Sequence, residues 1–161
     1  MKNLKDLFEH ELKDLYSAEN HILRTLPKLK DNASDDKLKK AFEKHMKETE
    51  GHVKRLEEIC DELGIKPTGE TCKAMQGFVK ESESFLKEDP EKEVKDAGII
   101  AEAQRVEHYE IAGYGTAVRL AKELGYEKIA GKLQKTLDEE YKTDNLLTDM
   151  AEDRLNRKAK V

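Results

Sequence analysis

Residues 99–124 run IIAEAQRVEHYEIAGYGTAVRLAKEL, and their reading decides the fold. Ile99, Ala103, Val106, Ala117 and Leu124 recur at helical spacing, and Gly125 supplies a stop. Inside that apolar stripe Ala103 is followed by Glu107 and Glu110, then by Tyr114. Acids at core positions of a long helix need an explanation. A buried carboxylate must be protonated, paired with a cation or bound to metal.

The same pattern lies to either side. A first helix is predicted over about 4–29, where Phe8, Leu12 and Leu15 lead to Glu19 before Ile22, Leu26 and Leu29. Pro27 is expected to kink or end it. A second helix is predicted over about 35–63, with Ser34 as its N-cap and Gly64 beyond its end. In it Phe42 is followed by His45, then Glu48 or Thr49, then His52 and Leu56. The third helix covers about 91–124. The fourth covers about 126–157, where Leu137 is followed by Glu140 and Asp144 before Leu147.

Residues 65–90 are different. They open on Pro67-Thr68-Gly69, close on Asp89-Pro90, and hold Cys72, Met75, Phe78, Val79, Phe85 and Leu86 at helical spacing. This reads as a crossover carrying one short helix, long enough to let the second and third helices run parallel. The fold class is therefore all-α, a four-helix bundle with one long crossover, in a single domain over 1–161.

Composition agrees. Charged residues make up 40% and apolar residues 37%, with three prolines, nine glycines and no Trp. Few breakers and narrow apolar stripes favour long helices over a sandwich or barrel. The net charge of −5 argues against a general nucleic-acid role. The basic end, Arg154, Arg157, Lys158 and Lys160, reads as a solvated helix terminus. Two cysteines, Cys60 and Cys72, with no apolar leader and no membrane-length apolar run, point to a cytoplasmic protein.

Acids on the core face of all four helices suit two divalent metals. Bundle cores of that kind take one Glu from each of two helices, and a Glu plus a second ligand one turn away from each of the others. The expected ligands are Glu19, Glu48, His52, Glu107, Glu110, Glu140 and Asp144. Glu107 and Glu110 form an i, i+3 pair, whereas Glu48 with His52 and Glu140 with Asp144 are i, i+4 pairs. The Glu-x-x-His form of the motif is absent from both expected places. His45 with Glu48 is a rival pair, and His45 otherwise reads as a core histidine orienting a ligand. A faint repeat sets Ala18-Glu19-Asn20 over Val106-Glu107-His108, and Glu48 and His52 over Glu140 and Asp144.

Several stretches together resemble the YciF/YciE-like family of small ferritin-like proteins, over essentially the whole length. They are Leu7 to Glu19, His45 to Thr49, Cys72 to Gly77, Ala103 to Ala112 and Leu137 to Glu140. The resemblance implies a ferritin-like bundle, often a homodimer, with a rubrerythrin-like di-metal site and a bacterial stress-response setting. No extra Cys-rich iron domain is present, so a peroxidase assignment does not carry over. The expected cofactors are two divalent ions per chain, iron or manganese, with zinc the alternative as purified. The expected chemistry is redox, with oxygen or peroxide as oxidant. The alternative is a metal-free helical dimer serving as a structural or interaction module, its inner acids protonated or paired with Lys.

Overall fold

The computed structural model describes residues 1–160, so Val161, the last residue of the expected domain, lies outside them. Helix α1 spans Leu4–Asn32 and starts where the Asn3 side chain accepts the Asp6 backbone N–H at 2.9 Å. It runs three residues past the expected end. Pro27 is exposed and lacks only its own N–H, while Leu26 and Leu29 on the opposite side are buried and hold the last turn. Helix α2 spans Asp36–Glu62. Its N-cap is Asp35 rather than Ser34: the Asp35 carboxylate accepts from the N–H groups of Lys37 and Leu38.

The Ser34 N–H is engaged elsewhere, with Asp96. That carboxylate, 4% exposed, accepts the N–H groups of Ser34 at 2.6 Å and Asp35 at 3.0 Å. Asp96 lies in the first turns of α4, which spans Lys92–Glu123. The starts of α2 and α4 therefore sit together, and the two helices run parallel, as a long crossover allows. Replacing Asp96 with Ala is expected to cost about 2 kcal/mol in chemical denaturation, because two N–H groups lose a charged acceptor. Lys95→Ala removes only a pair with the exposed Asp89 and is expected to be nearly neutral.

The crossover carries α3, Lys73–Lys87, capped at its start by the Cys72 thiol. It packs on α1 and α4. Gly98 of α4 admits the Phe85 ring so closely that a Cβ there would lie 2.0 Å from it. The last long helix, α5, spans Glu127–Met150 and passes into a π-helical turn, Ala151–Leu155, and a last short turn. Helix α1 packs on α2 and α4, and α5 packs on α4 and α2. The diagonals of the bundle are thus α1 with α5 and α2 with α4. Among the described residues no helix is long and apolar enough to cross a membrane.

The core is divided. One apolar cluster contains Ile22, Leu26, Leu38, Phe42, Ile99 and Leu147. The other contains Phe8, Leu12, Leu56, Ile59, Leu133 and Leu137. Cys60 and Cys72 are buried, unpaired, in different clusters. Between the clusters every long helix contributes buried polar side chains: Glu19, His45, Thr49, His52, Glu107, Glu110 and Glu140.

Candidate metal centre

Each helix supplies this layer from its own core track. In α1 the buried positions run Phe8, Leu12, Leu15, Glu19, Ile22 and Leu26, so Glu19 occupies a core step. In α4 Glu107 and Glu110 stand between Ala103 and Tyr114. In α5 Glu140 stands between Leu137 and Leu147. In α2 the track reads Phe42, His45, Thr49, His52, Leu56.

Two groups of ligand atoms result, each with all members within 4.8 Å of one another: His45, Glu107, Glu110 and Glu140, and Glu19, His52 and Glu140. Glu140 belongs to both. The expected residues Glu19, His52, Glu107, Glu110 and Glu140 are thus brought together. Glu48 and Asp144 are not. Glu48 pairs with Lys44 at 2.9 Å on the surface side of α2. Asp144 accepts from Gln104 at 3.1 Å and meets His108 at 3.2 Å. The cause is register. One residue turns a helix by about 100°, and the buried positions beside them are Thr49 and Thr143. The repeat of Glu48 and His52 over Glu140 and Asp144 is therefore not matched in space. Helix α2 contributes two histidines and α5 a single glutamate.

His45 completes the first group. Its Nε2 lies 3.2 Å from Glu107 Oε1. His52 Nδ1 lies 2.9 Å from Glu140 Oε1 and 3.3 Å from Glu19 Oε1. These contacts are close but not aligned as hydrogen bonds. Among the described residues, Glu19 Oε2, both nitrogens of His45, His52 Nδ1, Glu107 Oε2 and both oxygens of Glu110 and Glu140 have no hydrogen-bond partner.

The outer partners are better satisfied. His52 Nε2 meets Glu139 Oε2 at 3.0 Å, and Arg55 donates to the same oxygen at 3.0 Å and to Thr136. That arrangement turns Nδ1 toward Glu19 and Glu140. Tyr114, wholly buried, donates its hydroxyl to Glu19. Glu139, Arg55 and Tyr114 are not among the residues the sequence pattern marks as site residues. Glu139 flanks Glu140 on a helix face that periodicity alone marks as solvated.

Crowding of like charge shifts the protonation of the layer. Burial opposes the His45 imidazolium, but the Glu107 carboxylate, with Glu140 and Glu19, outweighs it and raises the pKa to about 9. Burial opposes His52⁺ too, yet Glu19 and Glu140 carry it to about 11. Burial raises Glu140 to about 8; His52 opposes this, and Glu19 and Glu107 add to it. Burial and the charges of Glu140, Glu19 and Glu107 push Glu110 well above the usual carboxylate range.

Fold and site together define a helical bundle protein with a carboxylate–histidine layer at mid-height. The pattern of the family described as Domain of unknown function (DUF892) matches residues 3–160, and the chain belongs to that family. It is 44% identical to Protein YciF of Escherichia coli over 160 residues, covering 99% of this chain and 96% of that one. The crystal structure of the E. coli stress protein YciF superposes with a TM-score of 0.93, at 44% identity, covering 97% of this chain and 99% of that one. YcfI from Rhodopseudomonas palustris, provisionally described as a structural protein, superposes at 0.89 with 39% identity, over 92% and 94% of the two chains. A protein of Xanthomonas campestris at 16% identity, TM-score 0.76, shares the fold, over 94% of this chain and 92% of its own.

Proposed function

We propose that this chain binds two divalent metal ions, iron or manganese, in the layer between its two apolar clusters, and uses them in redox chemistry with oxygen or peroxide. The observation that carries this reading is the set of buried ligand atoms without hydrogen-bond partners, drawn from four helices toward one place. Leaving one such atom unpaired costs about 1–3 kcal/mol, so a set of them needs a common partner. Four glutamates and two histidines make up the two groups. Four carboxylate charges balance two divalent cations, and a mixed oxygen and imidazole set suits Mn(II) and Fe(II).

His45, Glu107 and Glu110 would hold one ion and Glu19 and His52 the other, with Glu140 available to both. Such ions, when bound, supply one-electron steps to an oxidant. Apolar clusters on both sides limit the access of water to the layer. Tyr114 fixes the Glu19 carboxylate, and Glu139 with Arg55 fixes the ring of His52. A homodimer, a cytoplasmic setting and a stress role belong to the same proposal, supported by the resemblance to YciF, the buried free thiols and the stress-protein description of that relative.

The metal-free module is the second reading. The His45–Glu107 and His52–Glu140 pairs favour it, because two imidazolium ions offset part of the acid charge without metal. Titration separates the two. His45, His52, Glu140 and Glu110 all have pKa values raised in the fold, so the metal-free protein holds more protons folded than unfolded. Its stability is expected to fall as pH rises from the ordinary Glu and His range through about 8 and 9. At pH 7 a metal must displace those protons. Mn(II) binding, followed by calorimetry in two buffers of different ionisation enthalpy, is therefore expected to release protons and to tighten with rising pH. Two sites with proton release support the proposal, and no binding heat at any pH favours the module.

A further inference from the structure

Helix α3 does not seal the face it crosses. Between it, α1 and α4 is a partly open cavity of about 30 Å³. Its wall includes Ile22, Leu26, Met75, Phe78, Ala103 and Val106. Its buried end is formed by His45 and Glu107, which are 3% and 2% exposed. Glu19 and His52 do not line it. The cavity therefore reaches only one half of the candidate centre.

Size and polarity restrict what can occupy it. A water molecule needs roughly 10–15 Å³ of such space, so the cavity takes one or two molecules of diatomic size and excludes an acyl chain or an aromatic ring. The wall is mostly apolar, and the Thr25 hydroxyl is already given to the His21 carbonyl at 2.9 Å. A polar occupant such as hydrogen peroxide would give up its water partners along the apolar wall and meet unpartnered polar atoms only at the ends, at Glu102 and at His45 and Glu107. Glu102 lines both this cavity and the open groove beside Phe85 and Arg105, and one of its carboxylate oxygens has no partner among the described residues.

We propose that this cavity is the entry and holding site for dioxygen, which passes beneath α3 to the His45 and Glu107 side of the centre. The inference rests on the reading of the centre as a metal site, and it names the oxidant and its route. Dioxygen is small, neutral and apolar, and it dissolves better in an apolar wall than in water. Ala103, on α4 one turn before Glu107, touches the cavity without being a ligand. Phe78, on α3, forms the outer wall.

The test uses xenon as an apolar stand-in and the rate of dioxygen uptake as the readout of passage. Crystals of the metal-loaded protein under xenon pressure are expected to show a xenon peak between α1, α3 and α4, and Ala103→Met is expected to remove it. In stopped flow, two Fe(II) ions lose one electron each, and dioxygen takes both with two protons and leaves as hydrogen peroxide. Ala103→Met is expected to slow that oxidation about tenfold, the order of effect that overfilling a packed wall has on a barrier, with metal content unchanged. Phe78→Ala, which widens the wall, is expected to speed oxidation, and it serves if Ala103→Met does not fold. An unchanged rate once xenon is displaced overturns the route, as does an empty cavity in the parent under xenon. An equal or slower rate in Phe78→Ala at unchanged metal content also counts against it. A parent that binds no metal overturns the metal reading and this inference with it, and the metal assay shows that separately from the xenon result.

Discussion

Glu140→Gln is expected to lose both metal ions, not one. Glu140 is the single side chain in both ligand groups, 0% exposed, with neither oxygen hydrogen-bonded among the described residues. Gln keeps the volume and removes the charge, so packing is preserved while the anion common to both groups disappears. Changes in groups that merely support ligands cost about 10–100-fold in affinity, and removal of a shared ligand is expected to exceed that for each ion. Glu19→Gln touches only one group and is expected to leave one ion in place. Metal analysis of the parent and the two variants, prepared side by side without chelator, is expected to give about two, none and one ion per chain. Equal metal content in all three would remove Glu140 from the ligand set.

The second large effect is an inversion of stability. In the metal-free protein, Glu110 is fully buried, both its oxygens lack hydrogen-bond partners among the described residues, and its pKa is pushed well up by burial and by neighbouring carboxylates. Leu fills a similar volume with no polar atom to satisfy. Glu110→Leu is therefore expected to stabilise the metal-free protein by about 1–3 kcal/mol, whereas an average substitution costs about 1 kcal/mol. With metal the order reverses. At a free concentration one hundred times the dissociation constant, binding adds about 2.7 kcal/mol to the parent, and the variant lacks a ligand for that gain. Denaturation with chelator and with Mn(II) reads both halves. If the layer is instead a self-sufficient network of imidazolium and carboxylate, Glu110→Leu destabilises in chelator and the two curves do not cross.

Much of this arrangement is legible from periodicity. Glu19, Glu107 and Glu140 fall on core steps already marked by apolar neighbours, so chemistry and register agree and no tertiary information is needed. Glu48 and Asp144 show where that agreement ends. Each lies one residue from the buried track, which takes Thr49 and Thr143 instead. Acidity is a strong chemical signal and threonine a weak one, so choosing by residue type overrode register. His45 lies squarely on the track and met every geometric condition, but a lone core histidine in sequence usually serves packing, and only its 3.2 Å approach to Glu107 places it in a ligand group. Helix boundaries shift where a tertiary contact decides them. Asp96 accepts from the N–H groups of both Ser34 and Asp35, and the Asp35 side chain, not Ser34, caps α2. Glu139, Arg55 and the cavity under α3 were not legible, because they depend on how surfaces distant in sequence meet.

Two divalent ions are expected in the layer, held by the two ligand groups that share Glu140. Anomalous-difference diffraction from crystals grown with Mn(II), collected at the manganese edge, tests this expectation most directly. The expected result is two peaks, one among His45, Glu107, Glu110 and Glu140, the other among Glu19, His52 and Glu140. An empty layer at saturating Mn(II), or peaks only at surface acids such as Glu48 and Asp144, would contradict it and leave the buried acids as part of a structural module.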